Sequence, residues 1–390
     1  MPATEEILEP RDDRQSDDDG SSQALLALGA VVGPSVGPTV GGILTDQFSW
    51  RWIFFINVVP GLASSLLLWW LLREPHRKRV SADLAGLSFM VVGLGSIQYV
   101  LESGELYDWF ADTRIVVFSV LGVVFTVAFC LWELCVASHP IIDLRVLRRR
   151  AVAMGSVLSF GIGFTLFVGI VLGPQFSQSI LGFTATLSGN QVLVRAVSIA
   201  AFIPIAVTCM TRLHLNPRFI IAAGFALVGW SGFLSSAATT STAEFWSFGW
   251  ALAIGGFGFG LLFVPLSVAV LSAVPPSDTT KVSAMLSLFQ QLGASLSTAI
   301  MVMIVDRRTA FHLDHLAATI NLSRAGVAAL VQSRYPLQSI AQLVTREATT
   351  LGFADANLVG GICALVLVPI ALFFPTRRPP PVAVATGALT

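Results

Sequence analysis

Charged residues are scarce in this sequence. Only 12% of its 390 residues are Asp, Glu, Lys or Arg, whereas 54% are hydrophobic. The mean hydropathy is +0.77. Soluble globular domains carry about twice this share of charge, roughly 25%. The composition therefore excludes a water-soluble globular domain and indicates that lipid is the main solvent.

Residues that carry out chemistry are also few. The four cysteines have no metal-type spacing, and we find no zinc pattern, nucleophile elbow or nucleotide-binding signature. A glycine-rich run at 255–260 lacks the Lys-Ser/Thr ending of a phosphate loop, so helix packing explains it better. We therefore expect a protein that is not an enzyme, with no cofactor, metal or nucleic-acid partner, driven by an ion gradient rather than ATP.

Long apolar runs are abundant. About ten of them approach the roughly 20 residues that an α-helix needs to cross the hydrocarbon core. The runs are continuous rather than alternating, which favours helices over a β-barrel. The sequence therefore predicts an all-α, polytopic membrane protein. The expected spans are 23–44, 52–72, 84–101, 115–135, 152–172, 185–209, 219–238, 245–273, 282–305 and 353–374.

The first span contains an unusual ridge of small residues and prolines. Residues four apart lie on one face of a helix, so another backbone can approach this ridge closely. Each proline removes a backbone donor, which predicts a bend. The two rows of the ridge are Gly33, Gly37 and Gly41, and beside them Pro34, Pro38 and Gly42.

Basic residues are concentrated in alternate short loops. They crowd the loops at 73–79, 145–150 and 212–218, all on one side of the predicted topology. Basic loops remain cytoplasmic, so both termini are expected in the cytoplasm and the protein in the plasma (inner) membrane. The acidic segment 1–22 has the composition of a disordered tail and not of a secretory signal.

The ridge and the residues after it resemble the major facilitator superfamily, specifically its fourteen-span drug:proton antiporter branch. The ridge is similar to the antiporter motif of the family's fifth helix, and it is followed by Asp46 and by Trp50-Arg51-Trp52 in the family's order. Further stretches in family order lie at 139–145, 181–184, 216–218, 258–265 and 352–355. The resemblance implies proton-coupled export of small lipophilic compounds or drugs, with a periplasmic adaptor as a partner.

Two departures accompany the resemblance. We expect the chain to lack the family's first four helices, and it has Ser287 and Gln290 where the resemblance implies an asparagine and an arginine. The alternative function is therefore a truncated, non-transporting remnant or a subunit that needs the missing helices. The resemblance divides the chain into an acidic tail (1–22), the last two helices of the N-terminal bundle (23–72), two linker helices (73–138), a complete C-terminal six-helix bundle (139–375) with an outer loop (306–350), and a cytoplasmic tail (376–390).

Four charged residues are candidates for coupling or gating. Arg195 lies near mid-span, where a charge must pair or face water; it either serves transport from the cavity or binds a backbone carbonyl or neighbouring glutamine. Asp46 and Arg51 flank a short loop, where a gating salt bridge and a loop cap are the two interpretations. For Asp355, at the start of the last expected span, a helix cap and a coupling role are the two interpretations, and the cap is preferred.

Polar uncharged residues form a second group of candidates. They suit a wet cavity, but hydrogen bonds between helices explain them equally well. These residues are Gln175, Gln178, Asn190 and Gln191 near the mouth of the fifth and sixth spans, and Gln290 and Gln291 within the ninth.

Overall fold

The computed structural model describes residues 37–71, 83–137, 142–275, 278–319 and 337–375. Gly33, Pro34 and the two tails lie outside these ranges. Within the described residues every regular element is helical. The helices are α1 (37–47), α2 (Trp52–Leu71), α3 (Leu84–Ser103), α4 (Thr113–Cys135), α5 (Arg150–Ser179), α6 (Ala185–Thr211), α7 (Pro217–Ala238), α8 (Phe245–Gly260), α9 (Phe263–Leu271), α10 (Thr279–Thr319) and α11 (Leu337–Leu372).

Nine helical segments in the described ranges are long and apolar enough to cross a membrane, when α8 and α9 are counted together. This confirms the prediction of an all-α polytopic membrane protein. The short α1 is the described end of the first expected span.

The helices from α5 to α11 pack into one bundle. In this bundle α10 packs on α5 and α11, α7 packs on α8 and α11, and α6 packs on α8. The α3 and α4 helices form a separate hairpin that touches the bundle through α10. The α2 helix stands apart, and none of its residues is buried.

Close backbone approach sets the spacing inside the bundle. A Cβ added at Gly163 of α5 would overlap the carbonyl of Gln290 in α10, and one added at Gly293 would overlap the carbonyl of Phe160. Reciprocal glycines of this kind let two membrane helices pack at van der Waals distance. The surrounding core includes Leu158, Phe225 and Met285, all fully buried.

Two expected elements differ in the structure. The span at 245–273 is interrupted at Leu261, and Pro265 occupies the first turn of α9, where a missing N–H is tolerated. The segment 306–350, expected as a loop, is helical at 306–319 and 337–350. These polar turns extend α10 and α11 beyond their apolar stretches, so the hydropathy that located the spans did not detect them.

Candidate functional site

The ridge of α1 lies directly on the beginning of α6. A Cβ at Gly42 would come within 2.5 Å of the Ala185 carbonyl oxygen and 2.8 Å of the Thr186 Cα. From the other side, a Cβ at Gly189 would come within 2.5 Å of the Pro38 carbonyl oxygen. We call this contact, made by residues 38–46 and 184–189, the α1–α6 seam. The row of the ridge that contains Pro38 and Gly42 therefore packs closely on α6, whereas a Cβ at Gly37 or Gly41 of the other row meets nothing within 4 Å.

Two polar side chains of α1 reinforce the seam through three hydrogen bonds. The Thr39 hydroxyl donates to the Gly189 carbonyl at 3.2 Å. The Asp46 carboxylate accepts from the backbone N–H groups of Ala185 at 3.2 Å and Thr186 at 2.7 Å. Together with Thr184, whose hydroxyl accepts from Leu187 N–H, Asp46 satisfies the first amides of α6.

The structure favours the capping interpretation of Asp46 over the gating salt bridge. Arg51 lies over the Trp50 ring, with its guanidinium carbon 5.8 Å from the ring centroid, and the described residues give it no ion pair with Asp46. The helix that Asp46 caps is not its own but α6, 139 residues away. The Thr186 hydroxyl and the Thr186 backbone amide hold the pKa of Asp46 below its ordinary 3.8.

The lowered pKa of Asp46 predicts that the stability of the seam decreases at acidic pH. Hydrogen bonds to the ionised carboxylate stabilise the folded state above the ordinary pKa, and this stabilisation is lost as pH falls through the lowered value. Asp46→Asn should therefore lower the thermal unfolding midpoint of the detergent-solubilised protein at pH 7, by an amount that shrinks below pH 3.8.

Arg51→Gln is the matched control for this experiment. It removes the charge that a gating pair would need but touches none of the α6 amides, so the midpoint should stay unchanged. An equal fall in both variants would contradict the capping role and restore the Asp46–Arg51 pair.

Arg195 is buried where α5, α6 and α8 meet. Its guanidinium donates to the Leu166 carbonyl at 3.3 Å and lies 5.8 Å from the Phe259 ring centroid. A Cβ at Gly169 would overlap the guanidinium, so this glycine makes room for it. The Nε atom has no partner among the described residues. The contact of Arg195 therefore agrees with the backbone-carbonyl interpretation. No carboxylate among the described residues forms an ion pair with its guanidinium.

The polar candidates do not form one cluster. Gln191 is buried and accepts a hydrogen bond from the Ser177 hydroxyl at 2.6 Å, which joins α5 to α6. Gln175 and Gln178 are exposed, and Asn190 is half-buried. The structure thus supports the interhelical hydrogen bond for Gln191 and links none of the other three to it.

A cavity of about 130 Å³ opens between α5, α9 and α10. Its lining includes Ser159, Ser287 and Gln290. Ser287 and Gln290, the two positions that the resemblance singled out, therefore lie in one cavity. Gln291 lines a different cavity, towards α3.

Asp355 is not a helix cap, and that interpretation was wrong. It lies in the interior of α11, which begins 18 residues earlier at Leu337. Its carboxylate accepts from Arg308 Nε at 2.6 Å and contacts His312 Nε2 at 2.8 Å, both on α10. Arg346, further towards the start of α11, donates to the carbonyls of Ile180 and Ser241 at 2.9 and 3.0 Å. These contacts hold the polar extensions of α10 and α11 on the bundle.

The contacts of Asp355 are expected to protect nearby backbone amides of α10 from hydrogen exchange, without changing exchange in the rest of the bundle. Asp355→Ala removes two charge-assisted contacts between α10 and α11, so amide hydrogen exchange over 306–319 should accelerate about tenfold. Asp314 is exposed on the same helical extension of α10, so Asp314→Ala should leave the exchange rate over 306–319 unchanged. Equal exchange in the two variants would show that the Asp355 contacts contribute nothing to this region.

Sequence reasoning missed the residues that complete these contacts. Thr186, Arg308 and His312 lie 140, 47 and 43 residues from their carboxylate partners. The donors to Asp46 are backbone amides, which almost every residue has, so no residue type in the sequence marks them as its partners. Arg308 and His312 share one helix face at i and i+4, which was the only local hint of a common partner.

Comparison with known proteins identifies the family. The profile of the Major Facilitator Superfamily matches residues 16–298. The chain is 30% identical over 301 residues to the multidrug export protein EmrB of Escherichia coli K12, covering 76% of this chain. It is 26% identical over 375 residues to the probable multidrug resistance protein EmrY of the same organism, and 27% over 365 residues to the fatty acid resistance protein FarB of Neisseria gonorrhoeae.

The match to EmrB covers 58% of that relative's length, and the matches to EmrY and FarB cover 72% and 70%. These relatives confirm the resemblance to the drug:proton antiporter branch. With a family profile that matches well over half of the chain and nine apolar helices in the described ranges, the protein is a multi-pass membrane protein that belongs to the Major Facilitator Superfamily.

Proposed function

We propose that the protein is a secondary active transporter, not an enzyme, that takes part in proton-coupled export of small lipophilic compounds. The α1–α6 seam is the observation that carries this proposal. Gly42 and Gly189 allow the backbones of α1 and α6 to touch. Gly42 belongs to the ridge that resembles the antiporter motif of proton-coupled exporters. The relatives named as multidrug export or resistance proteins support the same class of activity.

The seam, Arg195 and the cavity beside Ser287 and Gln290 each have a different role in this proposal. At Gly42 and Gly189 the seam brings the backbones of α1 and α6 into direct contact, which limits leakage between them. Arg195 places a fixed positive charge inside that bundle, where a change in protonation or ligand charge nearby alters its interaction energy strongly. The cavity beside Ser287 and Gln290 supplies uncharged hydrogen-bonding groups. Alternating access then requires movement of one helical bundle against another.

We also propose where the protein lies in the cell. The protein lies in the plasma (inner) membrane with both termini in the cytoplasm, because the described starts of α5 and α7 follow basic loops. A periplasmic adaptor remains a prediction of the resemblance. The alternative of a non-transporting remnant is not favoured, because the relatives include named export and resistance proteins.

Transport in proteoliposomes tests the proposal. Purified full-length chain, reconstituted with an imposed proton gradient, should drive tetraphenylphosphonium movement against its own gradient, and a protonophore should abolish that movement. Movement that continues unchanged in the protonophore would refute proton coupling. Movement equal to that in protein-free vesicles would refute transport.

A further inference from the structure

One face of α6 carries a row of buried polar side chains. Ser188, Gln191 and Arg195 follow one another at spacings of three and four residues, which places them on the same face of the helix. No more than 7% of any of these residues is exposed. Three of their polar atoms, Ser188 Oγ, Gln191 Nε2 and Arg195 Nε, have no hydrogen-bond partner in the described part of the chain. Since buried polar groups are almost always paired, we expect a bound group to complete them.

Opposite this row, α5 presents two glycines and a serine. Gly169 faces the Arg195 guanidinium, and the Ser177 hydroxyl donates to the Gln191 side-chain oxygen at 2.6 Å. Gly173 lies four residues from each of them, so it is on the same face of α5, at the level between Gln191 and Arg195. The two side chains with unpaired nitrogens therefore flank a position at which α5 has no side chain.

The position beside Gly173 contains open space. Apart from the local backbone of α5, a Cβ added there would have one heavy atom within 4 Å, Cε1 of Phe248 in α8, at 3.4 Å. Contact with a single ring atom means that the buried phenyl ring approaches by its edge. The edge of an aromatic ring is the positive end of its quadrupole. The space is thus bordered by α5, α6 and α8, and it suits a small group of negative charge.

Hydrogen bonding and charge around this space both favour an anion. Arg195 uses one N–H on the Leu166 carbonyl and keeps its Nε–H free, and Gln191 keeps its amide N–H groups free. No described carboxylate pairs with the guanidinium. A buried cation inside the membrane is unfavourable unless a counter-charge or water accompanies it. Water can accept these hydrogen bonds but supplies no negative charge, whereas an anion supplies both.

We propose that a chloride ion binds beside Gly173, where it accepts hydrogen bonds from Gln191 Nε2 and Arg195 Nε. A monatomic anion fits because the space opens at a single glycine and is closed by Phe248. The ion remains bound as a counter-charge and is not the exported compound. The site is defined by equilibrium binding, so the inference goes beyond the proposed transport and does not depend on it.

Thermal unfolding of the purified full-length chain in detergent tests the site. At constant pH and ionic strength, sodium chloride should raise the unfolding midpoint by about 2–4 °C over sodium gluconate, because an ion bound by the folded state stabilises it. Bromide, which is only slightly larger, should act like chloride. Replacement of sodium by choline should change nothing. Equal midpoints in chloride and gluconate would overturn the proposal.

Gly173→Ala tests the location without removing a donor. The methyl group is close to chloride in size, and its contact with Phe248 is an ordinary van der Waals contact, so the variant should fold. The chloride concentration that gives half of the rise should increase at least about tenfold. Gly95→Ala is the matched control in α3, where a Cβ meets nothing within 4 Å, and its rise should equal that of the wild type. A full rise in Gly173→Ala would refute the location.

Two further variants test the donors. Arg195→Met should abolish the chloride-dependent rise, and Gln191→Leu should increase the chloride concentration needed for half of it about tenfold. The rise is a difference between two salts within one variant, so a general change in stability cancels. A rise of wild-type size at wild-type chloride concentrations in both variants would show that the ion binds elsewhere.

Chlorine NMR of the unmutated protein keeps the test independent of variant folding. The line of dilute chloride should broaden when the protein is added, because bound chloride exchanges with free chloride, and bromide should narrow it again. A line as narrow as that in protein-free micelles would contradict the proposed chloride site.

Discussion

Gly42→Val is expected to force α1 away from α6 and to reduce proton-coupled export at least about tenfold. The new Cβ would lie 2.5–2.8 Å from backbone atoms of Ala185 and Thr186, which cannot rotate away as a side chain can. Overpacking of this kind costs about 1–3 kcal/mol. Because the contact lies between α1 and the C-terminal bundle, the strain falls on the seam.

Gly41→Val is the matched control for the seam. Gly41 is the neighbouring residue of the same helix, and a Cβ there meets nothing within 4 Å. Both variants exchange glycine for valine in one turn, so their helix propensities change equally. The thermal unfolding midpoint and export rate should fall for Gly42→Val only. Equal behaviour of the two variants would show that close backbone contact at α6 has no role.

Arg195→Met is expected to reduce export at least about tenfold without lowering the thermal unfolding midpoint. The substitution keeps a long side chain in the space beside Gly169 and Phe259 but removes a buried positive charge. Replacing a buried charge that lacks a charged partner with an apolar group is often neutral or stabilising. A residue kept despite its desolvation penalty is therefore expected to serve function.

Arg195→Lys separates charge from geometry. Lysine keeps the positive charge but lacks the planar fork that donates to the Leu166 carbonyl. Partial export by the lysine variant would indicate that the charge matters most. A purely structural role predicts the opposite pattern for Arg195→Met, a lowered midpoint with export per folded molecule unchanged.

Features written in short stretches of sequence were predictable. The ridge from Gly37 to Gly42 predicted close packing because its four-residue spacing removes side chains from one helix face, and the row with Pro38 and Gly42 makes that contact. Apolar length located the spans because the hydrocarbon core fixes how many residues are needed. Neither signal specifies a partner, so α6 as the neighbour of the ridge came only from the fold.

Polar contacts between distant segments were not predictable. For Asp46 the local sequence offered a salt bridge with Arg51 or a cap of its own short loop, whereas its carboxylate binds amides of α6. The role of Asp355 was misjudged because α11 starts well before the apolar run, in polar turns. Both cases show where local reasoning ends: a carboxylate binds whichever donors the tertiary structure brings near, at any sequence separation.

Proton movement coupled to substrate movement tests the central claim most directly. Proteoliposomes containing the protein and a lumenal pH dye receive an outward gradient of tetraphenylphosphonium, with no proton gradient at the start. Antiport predicts that protons enter as the cation leaves, so the lumen acidifies, and that Gly42→Val suppresses this change while Gly41→Val does not. A lumenal pH identical to that of protein-free vesicles, while the cation still crosses through the protein, would contradict proton-coupled export.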